Sequence, residues 1–350
     1  MKKYSTIVFI ILVIMSMLVG CSNNTTAPIK DNKSTDIAES ESITIRIAHN
    51  APANEDDPYH YTANCFKQLI EERTNGAVKV QIFPGGQYGG EREMFEGVTL
   101  GTTDMAVMTS GNISQFSPAF LAVDLPFIFE SSEVAWESLD GPAGQAIGDT
   151  LEDLGVIGLG WGENGFRHAF TNGRGITKAE DFAGMKIRSL ENELHVESYK
   201  AWGANPTPLA WAEVTTGLQQ GTIEGLDIPL GVANSQNFSD ITEFVSLTSQ
   251  FYNAQYVVAN LAWFEGLKLE LQETIRQAVL DACSRERQLI AENESKWLSN
   301  LESDGMNIIN ADELDFESFK TKVSDIYDQY AAKIGGTYVE DLINAANAVN

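Results

Sequence analysis

The sequence predicts an α/β fold in two domains, and three features carry that prediction. Strand-like and helix-like segments alternate from Ile43 onward, the order that yields largely parallel sheets flanked by helices. The pattern restarts after Gly165. A helical stretch from Leu269 to Ser303 holds neither proline nor glycine. At 1.5 Å per residue it runs about 50 Å, too long for one small domain and suited to a strut across two. The roughly 310 residues from Ile43 on also exceed what one core usually supports.

The elements follow in order. Lys2 and Lys3 precede an apolar run from Ile7 to Val19, too short to span a bilayer, which needs about 20 residues. With Leu18-Val19-Gly20-Cys21 at its end, it reads as a secretory signal peptide over 1–20. That ending resembles a bacterial lipobox, which implies a lipid on Cys21 and a protein held at the membrane outside the cytoplasm. Residues 21–42 carry Ser, Thr, Asn and charge without apolar periodicity and read as a disordered tether of roughly 25 Å.

Ile43-Thr44-Ile45-Arg46-Ile47 has the period-two alternation of a strand. Asp57-Pro58 supplies an N-cap and first-turn proline for a helix that Asn75-Gly76 stops. A strand over Val78–Phe83, a Pro84-Gly85-Gly86 turn, a helix over about 90–100 and a strand over Asp104–Met108 come next. Helical segments near 132–139 and 143–154 lead into a strand over Val156–Trp161. In the second half, strands are expected near 166–171, 185–189 and 244–248, with helices near 191–202 and 211–220. The long helix and a final helical region near 315–347 close the chain.

With 49 acidic residues against 23 basic, the formal net charge is −26, which argues against nucleic acid as a partner. The four histidines (His49, His60, His168, His195) lack metal-ligand spacing, and no GxSxG elbow is present. Gly160-Trp161-Gly162-Glu163-Asn164-Gly165 matches GxGxxG, but strand-like residues follow it, so no helix N-terminus is expected to hold a pyrophosphate. No cofactor or metal is expected. Cys65 and Cys283 either form a disulfide or stay as buried thiols.

Arg167, at the start of the second half, and Arg188, at the end of a predicted strand, stand where open α/β sheets gather ligands. A guanidinium there suits a carboxylate. Ser110, at the end of the 104–108 strand, Glu55 and His60 in the loop after the first strand, and Glu163-Asn164 beside Arg167 are further candidate wall residues. Asp57 reads more simply as an N-cap.

Several motifs resemble a known family. Lys186-Ile187-Arg188, the run Gly203-Ala204-Asn205-Pro206-Thr207-Pro208-Leu209-Ala210-Trp211-Ala212-Glu213-Val214, and Gly217-Leu218-Gln219-Gln220-Gly221-Thr222-Ile223-Glu224-Gly225 are similar to the signature of TRAP-transporter solute-binding proteins of the DctP type. Pro84-Gly85-Gly86-Gln87-Tyr88-Gly89 and Asp124-Leu125-Pro126-Phe127 support the likeness, which covers about 43–345. It implies two α/β lobes with hinge strands, a central ligand cleft and one lobe-spanning helix, as in periplasmic binding proteins. The lobes would comprise 43–164 with 253–292, and 165–252 with 293–350. It also implies Arg188 as the partner of a ligand carboxylate, Arg167 as a supporting arginine and Trp211 as an aromatic wall. The expected function is capture of a small organic anion and its delivery to TRAP membrane permease subunits, without catalysis. A sensory receptor for a membrane kinase and a secreted enzyme on organic acids are the alternatives. Where the family often has Gly-x-x-Asn-Pro, this chain has Gly225-Leu226-Asp227-Ile228-Pro229, so Asp227 either accepts a ligand hydroxyl or faces solvent.

Overall fold

A computed structural model describes residues 43–349; the expected signal peptide, Cys21 and the expected tether lie outside the described residues. Nine strands form one mixed sheet: β1 (Ile43–Ala48), β2 (Val78–Phe83), β3 (Met105–Thr109), β4 (Val156–Thr171), β5 (Lys186–Ser189), β6 (Asn205–Pro208), β7 (Gly225–Ile228), β8 (Phe244–Asn260) and β9 (Asn307–Ile309). Their order is β2-β1-β3-β8-β4-β7-β5-β6, with β9 beside β8. β2, β1 and β3 run parallel in the first lobe, and β7, β5 and β6 run parallel in the second. The antiparallel pair β4 and β8 joins them. This is the predicted α/β architecture.

The local reasons match the sequence. Asp57 caps the helix Pro58–Arg73 by accepting the Tyr59 amide, and Pro58 opens its first turn. Asn75 and Gly76 both adopt positive φ, which ends that helix. The helix Leu269–Ser303 has 35 residues. Its Ile275, Val279, Ala282 and Cys283 pack into the first lobe's core, and its Ile290, Trp297 and Leu301 into the second's. It is a strut across both lobes. Cys65 and Cys283 are buried free thiols rather than a disulfide.

Two strands are much longer than the sequence suggests. β4 runs unbroken through Gly160–Gly165, where two separate strands are expected, and β8 extends 12 residues past Thr248. Ser249, Gln250 and Asn253 hide the second half of β8 because they are polar yet buried or nearly so. The glycines of the GxGxxG run are strand residues. Nearby, a Cβ at Gly158 would lie 1.8 Å from the Tyr256 hydroxyl, so only glycine lets β4 pass that ring. Gly165, at φ +97°, sits at a register shift and pairs with Asn253. The expected lobe boundaries, 164/165 and 252/253, therefore fall within continuous strands and opposite one another. β6 and β7 escape sequence reading because they are short, and Pro206 and Pro208 confine β6 to the sheet edge.

Candidate functional site: an arginine-lined cavity between two lobes

The carboxyl ends of β1 and β3 face those of β5 and β7 across a cavity of about 50 Å³. Asn50, Ala51, Tyr59, Glu91, Thr109 and Asn112 line it from the first lobe. Arg188, Leu190, Trp211, Ile228, Pro229, Val232 and Gln236 line it from the second, and Asn164 and Arg167 from β4.

Arg188 is 2% exposed. Its Nε and Nη2 donate to the Leu209 carbonyl at 3.1 and 2.8 Å. Its Nη1 is buried without a partner among the described residues. The guanidinium carbon lies 5.7 Å from the centre of the Trp211 ring. Burial, and then the neighbouring Arg167, lower its pKa to about 10, so it stays cationic at neutral pH.

Arg167 is spent differently. Its Nε donates to Asp227 Oδ2 at 3.0 Å, Nη2 to the Asp227 carboxylate and carbonyl, and Nη1 to Asn253 Oδ1. Of five guanidinium N–H groups, one on Nη1 is left over. Burial works against both charges, but their attraction wins: Arg167 is shifted up and Asp227 down. Asp227 does not face solvent and is not among the residues that line the cavity. It is fully buried behind Arg167, and its neighbour Ile228 forms the wall.

Glu91 opens the helix Glu91–Thr99, where a carboxylate is favoured by the helix N-terminus. Oε1 accepts the Thr109 amide at 2.8 Å and the Thr109 hydroxyl at 3.0 Å, while Oε2 accepts from Asn112 Nδ2. Burial raises its pKa against the pull of these bonds and of Arg188.

Asn164 lines the cavity and Glu163 does not. Successive strand residues point to opposite faces, and Glu163 is turned away, accepting Ser132 Oγ at 2.6 Å and Trp136 Nε1 at 2.7 Å. The register shift between Glu163 and Gly165 lets Asn164 and Arg167 share the cavity despite their odd spacing. Ser110 is buried but is not a wall residue; its neighbours Thr109 and Asn112 are. Glu55 and His60 also lie off the cavity. Glu55 bonds Asn64 at 2.8 Å and sits 3.6 Å from His60, whose Nδ1 meets His49 Nε2 at 3.1 Å. Sequence reasoning missed Glu91, Tyr59, Asn112 and Gln236. A first-turn glutamate looks the same in sequence whether it serves a helix or a ligand.

Known proteins are similar to this chain in sequence and in fold. The family model for bacterial extracellular solute-binding protein, family 7 (DctP), matches residues 47–333. A solute-binding protein of Verminephrobacter eiseniae is 34% identical over 280 residues, 80% of this chain and 83% of its own. The 2,3-diketo-L-gulonate-binding periplasmic protein YiaO of Escherichia coli K12 is 35% identical over 264 residues, 75% and 80% of the two chains. Among solved structures, a TRAP periplasmic solute-binding protein of Polaromonas sp. JS666 bound to D-erythronate superposes with a TM-score of 0.82 at 34% identity, covering 87% of this chain and 98% of its own. The sugar-acid-binding protein DctPAm of Advenella mimigardefordensis, in complex with galactonate, gives 0.84 at 27%, covering 89% and 99%. With a match spanning both lobes and the strands between them, the chain belongs to family 7 of the bacterial extracellular solute-binding proteins, the DctP family.

Proposed function

We propose that the cavity captures a small organic anion by its carboxylate, outside the cytoplasm, and that the loaded protein delivers it to a TRAP-type membrane permease. The observation that carries this reading is Arg188 Nη1, a buried cationic donor with no partner among the described residues, on a residue that lines the cavity. A charge-assisted hydrogen bond contributes about 1.5–3 kcal/mol. Arg167, with one spare N–H, supports the same carboxylate. Trp211 covers the Arg188 guanidinium. Ligand touching both lobes favours the closed form, with β4 and β8 bending at Gly165 and Asn253.

The protein acts as a receptor rather than an enzyme in this reading, in keeping with a family of solute-binding proteins. A lipid on Cys21 holds it at the membrane; conversion of Cys21→Ser should release it to the soluble fraction, and unchanged membrane retention would remove the anchor. The function is tested by a thermal-shift screen of small organic anions, since bound ligand raises the melting temperature by mass action. Several carboxylates should shift wild type and leave Arg188→Met unmoved. A screen in which no anion shifts wild type overturns the reading.

A further inference from the structure

We propose that this cavity selects a hydroxylated monocarboxylate and turns away a second carboxylate, with Glu91 making the choice. The inference rests on the carboxylate-receptor reading and narrows its ligand.

The charges are unevenly available. Two cations line the cavity, and Arg167 is already committed to Asp227. Among the described lining residues, that leaves Arg188 alone for a ligand anion. Facing it from the other lobe is Glu91, an anion on the same wall as Asn50 and Asn112.

A hydrogen-bond chain fixes the polarity of that wall. Arg167 Nη1 donates to Asn253 Oδ1, so Asn253 Nδ2 is turned toward the Tyr59 hydroxyl at 3.5 Å. Tyr59 lies 2.6 Å from Thr109 Oγ1, which lies 3.0 Å from Glu91 Oε1. A guanidinium at one end and a carboxylate at the other orient every hydroxyl in the same sense: Tyr59 donates to Thr109, and Thr109 donates to Glu91. Asn112 spends its Nδ2 on Glu91, which leaves its Oδ1 outward, buried and unpartnered. The Oδ1 atoms of Asn50 and Asn164 are likewise buried without partners. Of about four acceptor positions on a carboxylate, Glu91 has one free.

Around Glu91 the far wall therefore offers acceptors: the free position on its carboxylate and Asn112 Oδ1. Hydroxyl groups satisfy it by donating. A carboxylate, which can only accept, would stand against Glu91 with no unspent cation to meet it, and burying such a charge unpaired is strongly unfavourable.

Matched acids that differ only at the far end, aldonates ending in a primary alcohol and aldarates ending in a second carboxylate, supply the test. Calorimetric affinities of the purified protein are measured for pairs of four to six carbons, at neutral pH, in wild type and in Glu91→Gln. Wild type should favour the aldonate of its best pair by at least about tenfold, and Glu91→Gln should cut that preference to within about threefold. An aldarate bound as tightly as its aldonate overturns the proposal, as does an unchanged ratio in the folded variant. The wild-type ratio decides alone where Glu91→Gln does not fold. Binding of neither series, nor of any other carboxylate, overturns the carboxylate reading itself.

Discussion

Arg188 donates twice to a single acceptor, the carbonyl of Leu209, from Nε at 3.1 Å and from Nη2 at 2.8 Å. That pair of bonds pins the guanidinium plane and leaves Nη1 buried without a partner among the described residues, on a residue that lines the cavity. No carboxylate of the chain forms an ion pair with it among the described residues, so the protein alone leaves a buried cation undercompensated. Arg188→Met should consequently split two properties. Affinity for the anionic ligand falls about 10- to 100-fold, the loss of one or more charge-assisted bonds. The melting temperature of the ligand-free protein rises, because an unmatched buried charge has been removed. Calorimetry and a thermal melt check both, and a fall in both would show that Arg188 is structural.

Asp227 and Arg167 have the opposite relationship, a buried pair that each needs the other. Asp227→Asn should destabilise the fold by about 3–5 kcal/mol, since Arg167 is left charged and unmatched. Replacing both, Arg167→Met with Asp227→Leu, should recover most of that loss. Urea denaturation of the two variants measures it. A single variant that kept its stability and lost only affinity would place Asp227 on the ligand instead.

What sequence could reveal here divides along the range of the interaction. The helix capped at Asp57, the stop at Asn75-Gly76 and the strut from Leu269 to Ser303 depend on neighbours a few residues away, and all are legible. Arg188 at a strand end was legible too, as a position if not as a geometry. The Arg167–Asp227 pair joins residues 60 apart, and nothing local in Gly225-Leu226-Asp227-Ile228 signals where that acid's partner lies. The length of β8 was hidden for a related reason. Its polar middle is buried against residues remote in sequence, Gln250 on Tyr199 and Asn253 on Arg167, a fact of topology and not of composition. Asn164 and Arg167 share the cavity because of a register shift at Gly165 that no pattern of hydrophobicity records.

Glu163 gives the fold a pH signature. Burial raises its carboxyl to about 7 from an ordinary value of 4.5, and its amide donates to Glu286, another buried acid whose carboxyl is pushed up by burial. The folded state therefore holds the Glu163 proton more tightly than the unfolded chain does. The stability tied to that proton is complete below about pH 4.5 and is lost as pH rises through 7. His49 and His168 oppose this, because burial lowers them to about 3 and 4, so the fold gains from them as the unfolded histidines deprotonate near pH 6.5. A difference measurement isolates the glutamate. Between pH 5 and 8, Glu163→Gln should gain about 2 kcal/mol relative to wild type. A gap that stays constant across that range would show Glu163 to be ionised throughout.

Gln236 links the ligand wall to the opposite lobe. Its Oε1 accepts from Trp211 Nε1 at 3.2 Å, and its Nε2 donates to Asp57 Oδ2 at 3.3 Å. Ser235 Oγ donates to the same Asp57 oxygen at 3.0 Å. Trp211, Ser235 and Gln236 belong to the second lobe and Asp57 to the first, so the contact exists only while the lobes are together. Removing it should weaken the closed form without touching the Arg188 edge. Gln236→Ala is expected to speed ligand release about fivefold, the worth of one ordinary hydrogen bond between the lobes, and to leave the association rate nearly unchanged. Stopped-flow kinetics separate the two rates. An unaltered release rate would mean that Asp57 and Ser235 hold the lobes by themselves, whereas a slowed association would mean that Gln236 shapes the open cleft.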